Sequence, residues 1–463
     1  MTGRIRPAGM AVVGLLVLTP LSGCSDTLDS LPKLGDLNPF AEKQVPLPGR
    51  RISVMPAQGN KVPGELADAS KPIALPPQRV NEDWAQPGGN PSNAPGHLAF
   101  NGAAKEVWSA DAGEGSSSSG RVTASPIVYG GNIYTLDAEG NLSSFSTSGG
   151  SAKWRVSLKP DRENAQTSIW SLSLANAFSG DGGGYGGGLA AESGRLYAAT
   201  GYGNVVAIDP QTGKKLWEKM LGAPVRASPT AAGDRVFVVT LDGRFYCLAG
   251  ADGGELWSVR GLPQQASLLT NASPAVEGEI VVVPYPSGEL VALKVADGTA
   301  VWSESLTRTR TTSQISSMSD TARPAIFQGT VYAVGHAGRM VATQSATGER
   351  LWSLNVPGTQ APWVAGDSVF VVDTAGQLMA ISRTAGKVQW TVQLPGGGSW
   401  SGPTLAGGTL WLASAGGKLV GVEAITGRVV VEKDLGDPVY IAPVVAQGRM
   451  YVLTDEAKLI ALN

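Results

Sequence analysis

"SATGERLW", residues 345–352, decides the fold: a glycine, three residues, then a tryptophan. The cadence returns as "QTGKKLW" (211–217), "ADGGELW" (251–257), "ADGTAVW" (296–302) and "TAGKVQW" (384–390). Seven tryptophans mark it, Trp108, Trp154, Trp217, Trp257, Trp302, Trp352 and Trp390, at spacings of 46, 63, 40, 45, 50 and 38 residues. Val431, four residues after Gly427, takes the eighth place. A second marker, a proline opening an apolar run, stands at Pro126, Pro229, Pro274, Pro324, Pro362, Pro403 and Pro443, with one proline lacking near Leu189.

Between the markers each unit reads the same way: a short run, a turn, an alternating strand such as "RVFVVT" or "SVFVVD", a glycine turn, a third strand such as "QLMAIS", then the Trp strand. Alternation with turns at this spacing predicts four antiparallel strands per unit. A period of about 40 to 50 residues built from such units predicts propeller blades. Trp108 has no first three strands before it, and Pro443–Asn463 has no fourth strand after it. The two ends therefore complete one blade, which predicts an all-β, eight-bladed β-propeller closed by pairing of "AKEVWSA" with "LIALN". The glycine frees a turn, and each indole is expected to wedge between blades, covering roughly 150–250 Å² with its N–H free for a backbone acceptor. The seven tryptophans are thus assigned to blade packing, not to catalysis.

The chain has 463 residues, 42% of them hydrophobic, enough for a large core. With 36 basic and 38 acidic side chains it lacks the cationic footprint of a nucleic-acid binder. Arg4 and Arg6, then an apolar run from Met10 to Leu18, then small residues, form an export signal over 1–23, too short for a stable membrane span. Its ending, Leu21-Ser22-Gly23-Cys24, resembles a bacterial lipobox, which implies a lipidated Cys24 and an outer-membrane anchor on the periplasmic side. Several acyl chains on one residue meet the requirement for stable anchoring. The alternative is an ordinary cleaved signal with a chance cysteine. Residues 24–96 are rich in proline, glycine and small polar residues and show no apolar period, so they read as an unstructured tether, with the propeller from 97 to 463. Trp84 and "HLAF" (97–100) mark where the folded body begins.

Function in a repeat scaffold belongs to the connections that break the period. Two adjacent connectors are long, "SVRGLPQQASLLTNAS" (258–273) and "SESLTRTRTTSQISSMSDTAR" (303–323), and they must leave the same face. Their apolar residues beside polar ones suit a protein partner; ordinary surface loops are the alternative. The glycine-rich stretch before Leu189 lacks the Lys-Ser/Thr of a phosphate loop and reads as a connector entering a close-packed strand. His97 and His336 are the only histidines, so a multi-histidine metal site is excluded. Cys24 and Cys247 are the only cysteines, and Cys247 reads as a small buried hydrophobe. Asp137, Asp209, Asp242 and Asp373 recur at blade turns, where backbone hydrogen bonds explain them. Nothing in the inventory calls for catalysis, a metal or a cofactor.

The units "GNVVAIDPQTGKKLW" (203–217) and "GRFYCLAGADGGELW" (243–257) resemble the repeat of pyrroloquinoline-quinone propellers, over essentially residues 98–463. Two groups share that repeat, the quinoprotein alcohol dehydrogenases and the BamB lipoproteins of the outer-membrane β-barrel assembly machinery. "QISSMSDTARP" and "ASLLTNASP" look like two BamB loops. That resemblance implies docking on a periplasmic POTRA domain of BamA through Leu268, Leu269, Met318, Ser319 and Asp320, with nascent outer-membrane proteins as a further partner. The family arginine falls on Leu269 and its second aspartate has no counterpart, so Arg308 or Arg310 would supply the basic contact. The dehydrogenase resemblance implies an adjacent-cysteine disulfide, which Cys247 alone cannot form, and an acidic calcium site not seen here. A propeller binding some other cell-envelope partner is the third reading.

Overall fold

Four residues stand side by side across the sheet that holds Trp257: Thr230, Phe237, Cys247 and Trp257. The same row recurs, as Ala190, Tyr197, Ala207 and Trp217, or Ala325, Tyr332, Ala342 and Trp352. An aromatic residue on the second strand and a small one on the third leave room for the indole on the fourth. Cys247 occupies the small-residue place, as its sequence surroundings suggested, and is fully buried.

The computed structural model describes residues 72–118, 120–160, 186–261, 272–285, 287–306, 321–336 and 338–463. These residues form thirty-two strands and no helix, in eight four-stranded antiparallel sheets. Sheet 1 is β2 (Ile127–Tyr129), β3 (Asn132–Leu136), β4 (Asn141–Ser146) and β5 (Ala152–Ser157). Sheets 2 to 7 repeat it, opening on β6 (Gly187–Glu192), β10 (Thr230–Ala231), β14 (Ala275–Glu277), β18 (Ala325–Phe327), β22 (Trp363–Ala365) and β26 (Trp400–Ala406). Leu189, where the proline marker lapses, lies within β6. Opening strands of neighbouring sheets lie side by side around the hub. Sheet 8 joins β30 (Val444–Ala446), β31 (Arg449–Leu453) and β32 (Lys458–Leu462) to β1 (Glu106–Asp111), with Trp108 opposite Ala461. The ring closes by the pairing of chain ends that the spacing predicted.

Antiparallel order gives the wheel two different faces. First-to-second and third-to-fourth hairpins share one, tied by bonds such as Thr147 N to Gly131 O (3.3 Å) and Ser345 N to Gly329 O (2.9 Å). Second-to-third hairpins and the connectors between sheets share the other, tied by bonds such as Leu221 N to Gly203 O (2.8 Å) and Leu394 N to Gly376 O (2.9 Å). We call them the hairpin face and the connector face.

Residues 72–96, read from the sequence as the end of the tether, lie against the hairpin side of the wheel. Trp84, 2% exposed, and Leu98, fully buried, belong to the folded body, as the sequence suggested for both. A proline- and glycine-rich segment cannot satisfy its own backbone, so it bonds to the opening strands instead. Such pairing leaves no apolar period, which is why the sequence read as a tether.

Candidate docking face

Six indoles donate to a carbonyl of the next sheet: Trp154 to Pro210, Trp217 to Gly250, Trp257 to Val295, Trp302 to Ser345, Trp352 to Arg383 and Trp390 to Ala424, at 2.8–3.2 Å. All seven wedge tryptophans are half-buried, one ring face covered by the neighbouring sheet. The cover is the glycine of the repeat. A Cβ on Gly150, Gly213, Gly253, Gly298, Gly348, Gly386 or Gly427 would stand 2.5–2.8 Å from the preceding sheet's tryptophan. Glycine and tryptophan of one "G-x-x-x-W" therefore serve different interfaces, a division that sequence spacing alone did not show.

The outer edge is blunted. Each fourth strand breaks register at the residue before the wedge position, so Val107, Leu216, Leu256, Val301, Leu351 and Val430 bulge into solvent. Sheets 1 and 6 break register in the same way before Trp154 and Trp390. A bulge interrupts the free ladder that an incoming strand would need. The rim is thus poorly suited to strand addition.

The connector face is different. The two long connectors leave on either side of sheet 4. Gly261 N bonds Gly243 O (2.8 Å) before the first, and Leu306 N bonds Gly288 O (3.0 Å) before the second. Glu304, 8% exposed, takes the Arg350 guanidinium at 2.5 Å and fixes the strand that enters the second connector. Leu268, Leu269, Arg308, Arg310, Met318, Ser319 and Asp320 lie outside the described residues, as does Cys24. Both signs of charge border them: Asp242, Glu289 and Glu304 share these hairpins and strand ends with four arginines. Arg244 and Arg260 stand directly opposite each other across two strands, a pairing of like charges. Arg339 donates to Ser305 O at 3.1 Å. Beside Arg323, Thr321 pairs with Gly335, and burial lowers the guanidinium to about 10 with no carboxylate opposing it among the described residues. Sequence spacing does not single out these four arginines, which come from separate strands and turns.

Among the described residues the titratable side chains singled out by the sequence hold structural places. Burial pushes the Cys247 thiol up to about 12, with Arg235 opposing in part, so it is a poor nucleophile. Among the described residues no three His, Cys, Asp or Glu side chains group to hold a metal. Asp137 accepts from the amides of Glu114, Glu139 and Asn141, and Asp373 from those of Ala375 and Gln377. These are turn caps. His336 is an exposed turn residue. His97 is buried: its Nδ1 meets Pro76 O at 2.7 Å and its Nε2 accepts from Gly408 N at 2.9 Å.

Eight four-stranded sheets carrying this repeat define an eight-bladed propeller of the pyrroloquinoline-quinone type. A family model described as "Outer membrane protein assembly factor BamB" matches residues 96–169, 163–392 and 386–463. The chain belongs to the BamB family. It is similar to the outer membrane protein assembly factor BamB of Burkholderia pseudomallei, 24% identical over 34% of each chain. It is also similar to that of Shewanella oneidensis, 24% identical over 53% of this chain and 60% of that one. The matched stretch spans about a third to three fifths of these curated relatives' length. The crystal structure of BamB from Moraxella catarrhalis superposes with a TM-score of 0.62 at 18% identity, over 78% of this chain and 99% of that one. A quinohemoprotein alcohol dehydrogenase from Comamonas testosteroni superposes at 0.63 and 13% identity, over 82% and 80%. At such identities the likeness is one of fold.

Proposed function

We propose that this chain is a non-catalytic docking lipoprotein of outer-membrane protein assembly, held at the periplasmic side of the outer membrane by lipid on Cys24 and binding a POTRA domain of BamA. Membership of the BamB family supports the setting. The observation that carries the docking face is that both long connectors leave one face, flanking a single sheet. Leu268, Leu269, Met318, Ser319, Asp320 and one of Arg308 or Arg310 would form the contact, apolar residues at its centre and charge at its rim. Nascent outer-membrane proteins would be met on this face and not at the bulged rim. Affinity capture of the chain at native level from envelope membranes tests the reading. BamA should be the major companion, and its absence from a capture that retains the folded chain would refute it.

A further inference from the structure

The segment that precedes β1 visits every sheet in turn. Asn81 O accepts from Gln447 N of sheet 8 at 2.8 Å, and Trp84 exchanges backbone bonds with Val128 of sheet 1 at 2.7 and 2.9 Å. Ala85 O accepts from Ala191 N of sheet 2 at 2.8 Å. The Gln86 side chain brackets Ala231 of sheet 3, donating to its carbonyl at 2.7 Å and accepting from its amide at 3.1 Å. Pro91 O accepts from Val276 N of sheet 4 and Ser92 O from Ile326 N of sheet 5, at 2.7 and 2.8 Å. Gly96 O takes the Trp363 indole of sheet 6 at 2.9 Å, and Leu98 bonds Leu405 and Gly407 of sheet 7 at 3.2 and 3.0 Å. One full turn is completed before the chain enters sheet 8 as β1.

The middle of the circle is filled as well. Trp84 stacks on Trp363 at 6.1 Å and 22°. Asn93, at φ 56°, sends its amide to Pro324 O at 2.9 Å and Pro274 O at 3.3 Å, where two opening strands begin.

The segment also meets the seam where the repeat is broken. Between sheets 7 and 8 there is neither a wedge indole nor a repeat glycine. Val431 stands in the indole's place, and the turn it would meet is the gap where Lys105 and Asn463 exchange backbone bonds at 2.8 Å. In sheet 7 the bulk moves inward, in the row Thr404, Trp411, Gly421, Val431. Phe100 packs edge-on to that Trp411 at 5.5 Å and 88°, while His97 bonds Gly408.

We propose that residues 73–100 act as an intramolecular clasp. They occupy a peptide-binding ring formed by the opening strands, close the hub on the hairpin face, and take over at the seam the work that wedge tryptophans do elsewhere. Tension on the chain before residue 72 is then shared by all eight sheets, and the clasp lets go only when the ring opens.

Native-state hydrogen exchange on the full chain carrying Trp84→Ala and Asn93→Gly tests this. The glycine keeps the positive φ free of strain. The amides of Val128, Ala191, Val276, Ile326 and Gln447, in five sheets, should exchange about tenfold faster or more as one group, while Cys247 and Ala342 on third strands keep their protection. Acceleration confined to Val128, or none, would overturn the proposal. Should that variant fail to fold, a protease site inserted after the exposed Asn101 serves instead. After cutting, the N-terminal piece should stay with the propeller through gel filtration. Its release from a propeller that remains folded would overturn the clasp.

Discussion

Gly348 of sheet 5 lies against Trp302 of sheet 4: a Cβ on it would stand 2.6 Å from the tryptophan's Cβ and from Cγ of its indole, and its φ is +77°. Glycine is required there twice over, by backbone conformation and by space. Gly448, at φ +70°, has nothing within 4 Å of its virtual Cβ and isolates the first requirement. Gly448→Ala should cost about 1–2 kcal/mol. Gly348→Ala should cost about 1–3 kcal/mol more, from overpacking. Urea unfolding of the two variants measures the difference, and equal losses would show that the wedge contact contributes nothing.

The indole itself can be dissected at Trp352, which donates to Arg383 O at 2.8 Å and packs beside Tyr332 at 6.0 Å. Trp352→Ala should destabilise by about 3–5 kcal/mol at most, the half-exposed ring placing it toward the lower end. Trp352→Phe keeps much of the packing and should cost about 1–3 kcal/mol, including the Arg383 carbonyl left unpaired. Denaturant midpoints of both variants check the order.

Cys247 gives a pH dependence with a definite sign. The thiol titrates near 9 when unfolded and near 12 when folded. Its contribution is complete below pH 9 and is lost as pH rises toward 12, at about 1.4 kcal/mol per unit. Tyr285, raised to about 12 by burial, adds to the loss from about pH 10 upward. Cys247→Ala should flatten the decline between pH 9 and 10 in urea midpoints. At pH 8 the native chain should resist thiol alkylation until denatured.

Quinone and calcium offered to the purified chain should give neither a bound-quinone absorbance nor dye reduction with alcohols. Either signal would favour the dehydrogenase reading over docking.

The wheel was legible because each blade repeats the same burial problem, and the repeat writes that problem into the spacing of Pro126, Pro229, Trp217 or Trp257. Closure followed from where the repeat starts and stops. Of the segment from Pro72 to Phe100 only Trp84 and His97–Phe100 were legible as folded; the rest pairs chiefly with backbone atoms of the sheets, and such bonds impose no pattern on side chains. Nor was the replacement at the seam legible, where Trp411 and Phe100 stand in for an indole at Val431: it depends on cross-strand register, and spacing carries no register. The connectors announced themselves only by their length. The arginines that border them, Arg244, Arg260, Arg323 and Arg339, are assembled by topology from separate strands and turns.

Binding of the full chain to a purified BamA POTRA fragment, followed by calorimetry, tests the docking account most directly. The native chain should bind saturably, and the variant with Leu268→Glu and Asp320→Arg should lose binding while keeping its urea midpoint. Undiminished binding by that variant, or none by the native chain, would contradict it.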